Sequence, residues 1–144
     1  MGKSVSVIED FAFDYCGNLT AVFFKGNSPR VGFQAFAADH KATIYYLPGT
    51  TGWGPTLDGR PTALWYRPHP VILSFGPSFG LQTNRFGFII SWATNTSVVV
   101  EACRNLRTAA WAPVATNTLT DGWSYFSDPH WTDYPRRFYR LRSL

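Results

Sequence analysis

Charge is scarce in this chain of 144 residues: only 15% are Asp, Glu, Lys or Arg, where about a quarter is usual in globular domains. Hydrophobic residues make up 45%. That combination excludes the disordered class, which needs low hydrophobicity and high net charge. Cysteine is also scarce, with Cys16 and Cys103 alone. Two cysteines cannot build a disulfide framework. No C-x-x-C and no Cys/His spacing suits zinc, so no metal site is expected. Each cysteine sits beside apolar or strand-like residues and is expected as a buried free thiol, with a single Cys16–Cys103 bridge as the alternative in a secreted protein. No cofactor is implied. No stretch approaches the roughly 20 apolar residues of a membrane helix, so no transmembrane segment is expected. Met1-Gly2-Lys3-Ser4 has no apolar h-region, so no signal peptide is expected in this stretch. No Lys/Arg run or nucleic-acid motif accompanies the net charge of +4. The basic balance therefore reads as a solvated face, without a nucleic-acid partner.

Helical periodicity is missing too: no apolar 3.6-residue period extends beyond about ten residues. What is present instead is aromatic, with 12 Phe, 7 Tyr and 6 Trp. Aromatic and β-branched residues favour strands. Strand-like runs lie at 19–24, 42–47, 86–92, 97–102, 124–127 and 137–141, bounded by Gly, Pro, Asn and Asp. Short strands with frequent turns predict a mainly β chain. Gly and Pro cluster at 48–55, 66–70 and 76–80. A boundary is expected there, with residues 1–65 and 82–144 as two modules and 66–81 as a connector. The connector contains Val71, Ile72, Leu73 and Phe75, so it is expected to lie against a module rather than swing freely.

The first module carries a weak repeat. Ile8, Ala12, Phe13, Cys16, Leu19, Val22 and Phe24 fall on one pattern, and Ala35 and Phe36 restate part of it before the run at Ile44. This resembles the leucine-rich repeats of surface-antigen, BspA-like proteins, over about residues 4–65. The second unit lacks the Cys and Leu. Its continuation, Tyr45-Tyr46-Leu47-Pro48-Gly49-Thr50-Thr51-Gly52-Trp53, resembles the closing segment of such arrays. Repeats stack on one another, and about three are normally needed. With about two visible, the chain reads as the end of a longer array, with a raw side at Phe11 and Phe13 open to homodimerisation or to a ligand. Residues 82–144 resemble a short carboxy-terminal module of secreted bacterial repeat proteins, on Val99–Leu106, Trp111–Val114, Thr116–Leu119, Tyr125–Pro129 and Pro135–Leu141. The resemblance implies a small immunoglobulin/fibronectin-like β-sandwich, and an extracellular or cell-surface location.

Ser127-Asp128-Pro129-His130-Trp131-Thr132-Asp133 is the densest polar cluster. Ser127, His130 and Asp128 or Asp133 could serve a hydrolase acting on an ester or glycan. A triad is defined by geometry in space, and no Gly-x-Ser-x-Gly elbow is present. Asp128-Pro129 reads better as a turn. Glu9, Asp10 and Asp14 lack the ligand spacing of a calcium loop and read as solvated turns. Trp53, Trp123 and Trp131 border turns, and Tyr45 lies in a repeat strand. Flat rings suit stacking on sugars and anchoring of protein partners, while the competing role for each is core. Arg136, Arg137, Arg140 and Arg142 crowd the carboxy terminus, as a basic patch that includes Arg140 in a binding role or as charges guarding an edge strand. Asn18 and Asn95 match the glycosylation pattern, which is common by chance. The expected function is a non-enzymatic binding or adhesion module, contacting protein or polysaccharide through Trp53, Trp123, Trp131, Tyr45 and Arg140. The small hydrolase is the alternative, and a structural end cap with no ligand is a third reading.

Overall fold

The computed structural model describes all 144 residues. The chain is mainly β, with no α-helix and one 3-10 turn at Trp131–Asp133. It divides into two compact units, Met1–Trp65 and Tyr66–Leu144.

The first unit is a stack of coils whose strands pair in parallel. β1 (Val7–Ile8) pairs with β3 (Arg30–Val31). β2 (Ala21–Phe24) pairs with β4 (Thr43–Tyr46). β4 in turn pairs with β6 (Arg60–Leu64), against which the short β5 (Thr56–Leu57) folds back antiparallel. Val7 faces Arg30 and Ala21 faces Thr43, so one coil sits on the next at an offset of 23 and then 22 residues. The turns repeat with the strands. Phe11 and Gln34 take left-handed φ of 57° and 50°, and Tyr15 and Ala38 take 58° and 62°. Between these turns, Phe11, Phe13 and Tyr15 donate their amides to the carbonyls of Phe33, Ala35 and Ala37. Side chains stack at the same offset: the rings of Phe13 and Phe36 lie 4.9 Å apart and nearly parallel.

Strand alternation sorts the side chains of this unit. Val22, Phe24 and Ile44 point inward and join Ile8, Ala35 and Phe36 in one core. Each fully buried large apolar side chain of this kind contributes about 1.5–3 kcal/mol. Phe23 and Tyr45, being of opposite parity, point outward. Cys16 in the first coil is matched 23 residues later by Asp39. The cysteine is exposed, whereas Asp39 is fully buried with neither carboxylate oxygen hydrogen-bonded.

The second unit places two sheets around a separate core. β7 (Val71–Leu73), β8 (Gly80–Gln82) and β12 (Trp123–Asp128) all pair antiparallel with β9 (Arg85–Ser91). β11 (Ala112–Leu119) and β13 (Phe138–Ser143) flank β10 (Thr96–Cys103), both antiparallel. Phe88, Ile90 and Phe126 from the first sheet meet Val98, Val100 and Leu119 from the second. The register between β10 and β11 shifts after Val100. That bulge increases the local bend and roughens the edge.

Two expectations change. Residues 66–81, read as a connector, contribute β7 and most of β8 to the second unit, because Val71, Ile72 and Leu73 complete the β9 sheet. The cysteines are both free, and Cys16 is exposed rather than buried; only Cys103 is enclosed.

Candidate functional site

Two surfaces gather chemistry-bearing side chains, one in each unit. In the first unit, parallel register brings outward residues of adjacent strands side by side. Phe23 lies opposite Tyr45, and their rings stack at 5.0 Å with planes 16° apart. Trp65, just beyond β6, donates its amide to Tyr46 and sets its ring 4.8 Å from Phe23. Phe23 remains 39% exposed. The result is a row of three rings on the outer face of the parallel sheet. Composition alone hid Phe23 and Trp65. The signal that finds Phe23 is the 22-residue offset, which pairs it with Tyr45; nothing in the sequence marks Trp65.

Trp53 plays a different part. Its ring stacks on Tyr46 at 4.8 Å, meets Phe24 at 5.1 Å, and joins the core of the first unit. It is a core ring rather than a presented face. In the second unit, Trp123 and Tyr125 stand exposed on the outer face of β12, with the Tyr125 ring lying across Gly87. Trp131 is half-buried in the 3-10 turn. Its indole N–H is enclosed without a partner. Arg140 is already engaged: its Nε donates to Glu101 at 2.7 Å and its guanidinium lies 4.5 Å from the Trp111 ring centre. Arg142 donates to the other Glu101 oxygen at 3.0 Å. These two bonds, Arg142 first and Arg140 next, hold the Glu101 carboxyl below its ordinary value.

The polar cluster at 127–133 is organised around Asp128. One carboxylate oxygen accepts from the His130 amide at 2.9 Å, which closes the turn expected at Asp128-Pro129. The other accepts from the Tyr139 hydroxyl at 2.7 Å and lies 2.9 Å from Arg137 Nε. The pair is shielded, with the Arg137 side chain 13% and that of Asp128 5% exposed. The Arg137 contact is an ion pair rather than a hydrogen bond, because its Nε–H is not aimed at the oxygen. Burial first, and then the bond to Asp128, raises the Tyr139 phenol above its ordinary value.

Ser127, Asp128 and His130 line one open depression, but they do not form a relay. The His130 imidazole pairs with Asp133 at 3.3 Å, both side chains being largely in solvent. No hydrogen bond joins Ser127 to His130. A base poised for nucleophilic attack needs a nucleophile within about 2.6–3.2 Å and a third group orienting it.

Beside this depression, and sharing Val114, Tyr134 and Arg137 with it, lies a cleft of about 460 Å3. Ala102, Ala110, Ala112 and Val114 form its apolar floor, and Asn105 and Thr108 part of its rim. The guanidinium carbons of Arg104 and Arg137 each lie 4.3 Å from the Tyr134 ring centre. No sequence motif announces this cleft. It arises because the β10–β11 connection and the segment before β13 converge.

The fold and these surfaces define a class: a β protein of two units, one a stack of parallel coils and the other a pair of packed sheets. Compared with protein-family models, with curated proteins and with solved structures, the chain has no match.

Proposed function

We propose that this chain is a non-enzymatic binding or adhesion module, acting outside the cell or at its surface on a protein or polysaccharide ligand. The observation that carries this reading is the outward row of Phe23, Tyr45 and Trp65. Phe23 and Tyr45 stack on one another and Trp65 is tilted by 54° to Phe23, so the row presents an apolar strip of ring edges on the sheet, suited to a partner's anchors or to the apolar side of a sugar. Sheet strands hold such a strip in place with little entropy to lose on binding.

The resemblance to the ends of BspA-like leucine-rich repeat arrays is supported by the 22–23-residue offset of the parallel coils. An immunoglobulin/fibronectin-type sandwich is supported by the division of β12-β9-β7 and β10-β13 between two sheets. The secreted or cell-surface location rests on that resemblance. The side of the first coil carries Phe11 at 50% and Tyr15 at 83% exposure, which suits homodimerisation through the open repeat end.

The second reading is a small hydrolase at Ser127, Asp128, His130 and Asp133. It is favoured by the shared depression, and weakened by the commitment of Asp128 to Tyr139 and Arg137. A screen of immobilised glycans and surface proteins tests the two together. The binding reading expects retained ligand that Tyr45→Ala releases and His130→Ala does not. Turnover of an ester or glycan that His130→Ala abolishes would replace it with the hydrolase.

A further inference from the structure

The cleft between the β10–β11 connection and the segment before β13 has a composition of its own. Its floor is small and apolar, its rim carries an amide and a hydroxyl, and two guanidiniums flank Tyr134 from within it. Its volume lies inside the roughly 300–1,000 Å3 range of ligand pockets. Both guanidiniums face the same ring, so an aromatic stacking partner for a ligand is absent here and recognition must be polar.

The charge count narrows the ligand. Arg137 is paired with the shielded Asp128, so that its charge is matched inside the protein. Arg104 is exposed and has neither a carboxylate partner nor a hydrogen bond. One unmatched cation beside a second, matched one suits a monoanion better than a phosphate dianion. Guanidiniums present planar forks that fit the two oxygens of a carboxylate. The Asn105 amide oxygen accepts from the Arg107 amide and the Thr108 hydroxyl donates to the Asn105 carbonyl, which leaves the Asn105 amide nitrogen to donate to, and the Thr108 oxygen to accept from, ring hydroxyls. The lining is mostly small, with Ala102, Ala110 and Ala112, and its one aromatic ring is taken up by the two guanidiniums, so it offers little to anchor an apolar peptide side chain.

We infer that this cleft binds the carboxylate of an acidic sugar, a uronate residue of a polysaccharide, with Arg104 as its principal cation and Asn105 and Thr108 on the ring hydroxyls. The site is separate from the ring row of the first unit. Failure of either leaves the other standing: Tyr45→Ala should not affect uronate binding, nor Arg104→Ala the ligand held by the ring row.

The test is calorimetric titration of the whole chain, at about 0.15 M salt so that charges outside the cleft are screened, with trigalacturonate and with its fully methyl-esterified form, which has the same skeleton without the charge. The trimer should bind, with the ester weaker by about tenfold or more, the scale of one charge-assisted hydrogen bond. Arg104→Ala should cause a similar loss. This side chain is exposed and its contact is with the Tyr134 ring, so the variant should keep the wild-type far-UV circular dichroism and thermal midpoint. Arg136→Ala removes an exposed charge outside the cleft and should change affinity by less than about twofold. Equal binding of the ester, or an equal loss in Arg136→Ala, would overturn the proposal. So would binding of tetraglutamate as tight as that of trigalacturonate, which would assign the cleft to acidic peptides. A folded Arg104→Ala protein that binds the trimer like wild type would overturn it as well.

Discussion

Gly32 sets how closely the first two coils can approach. A Cβ at this position would lie 2.5 Å from the Asp10 amide nitrogen and 2.8 Å from the Glu9 carbonyl carbon, and would overlap Asp10 Oδ1. Two of those atoms are backbone and cannot rotate away. Comfortable contact begins near 3.5 Å, so Gly32→Ala must part the coils by roughly 1 Å. Four bonds cross that gap close to Gly32: Gly32 N to Ile8 O at 2.8 Å, Arg30 N to Ser6 O at 2.9 Å, Phe11 N to Phe33 O at 3.0 Å, and Phe33 N to Asp10 Oδ1 at 2.7 Å. Overpacking costs about 1–3 kcal/mol, and losing one hydrogen bond to a charged group adds about 1.5–3. The expected loss is therefore ~3 kcal/mol or more, a large share of the roughly 5 kcal/mol that a small domain holds. Urea unfolding followed by tryptophan fluorescence checks this. Trp53, stacked in the first unit's core, should report a lowered midpoint, while the second unit's transition stays in place. Gly17→Ala is the control. Nothing lies within 4 Å of its added Cβ and its φ is not left-handed, so the change should stabilise by about 0.4–1 kcal/mol through the unfolded chain. If Gly32→Ala also stabilised, the stacking of coil on coil described above would be refuted.

Three further outcomes follow from polar groups at Asp39, Glu101 and Tyr139. Asp39→Cys restores the residue of the sister coil and removes a buried carboxylate without partners; it should stabilise the first unit by about 1–3 kcal/mol, and a lowered urea midpoint would contradict the burial described. Glu101 has a lowered folded pKa, so the unfolded chain binds more protons as the solution is acidified. Its contribution is present above about pH 4.3 and is lost as pH falls through the lowered folded value. Tyr139 has a raised pKa, so stability should fall as pH rises above about 10, where only the unfolded chain ionises. Glu101→Gln should flatten the acid limb of a plot of thermal midpoint against pH, and Tyr139→Phe the alkaline limb. Unchanged limbs would show that neither environment differs from water.

The six strand-like runs read from the sequence all lie on observed strands, since each is rich in β-branched or aromatic residues. What escaped was shorter or less apolar. β6 contains Pro61 and Arg60 and holds its place by pairing with β4. β11 contains Pro113, Asn117 and two threonines, Thr116 and Thr118, yet it pairs along most of β10. Tertiary pairing overrode weak local preference in both. β7 was hidden inside a Pro/Gly-rich stretch, where turn residues outweighed three apolar ones. Among the site residues, the turn read at Asp128-Pro129 agrees with the bond from the His130 amide to Asp128. Strand alternation separates Ser127 from Asp128, and the partners of Asp128 come from residues 137 and 139. Tyr45 was legible from its strand, but its stacking partner Phe23 required the register. Trp53, flagged for its glycine-rich loop, packs inward because the loop folds back over Phe24 and Tyr46.

The most direct test of the binding reading is hydrogen exchange on the whole chain, with and without the ligand retained in the glycan and protein screen. The account predicts new protection on residues 21–24, 43–46 and 60–65, under the row of Phe23, Tyr45 and Trp65, and loss of that protection in Tyr45→Ala. Protection confined to residues 127–133 would contradict it and place the ligand at the Ser127–Asp133 cluster.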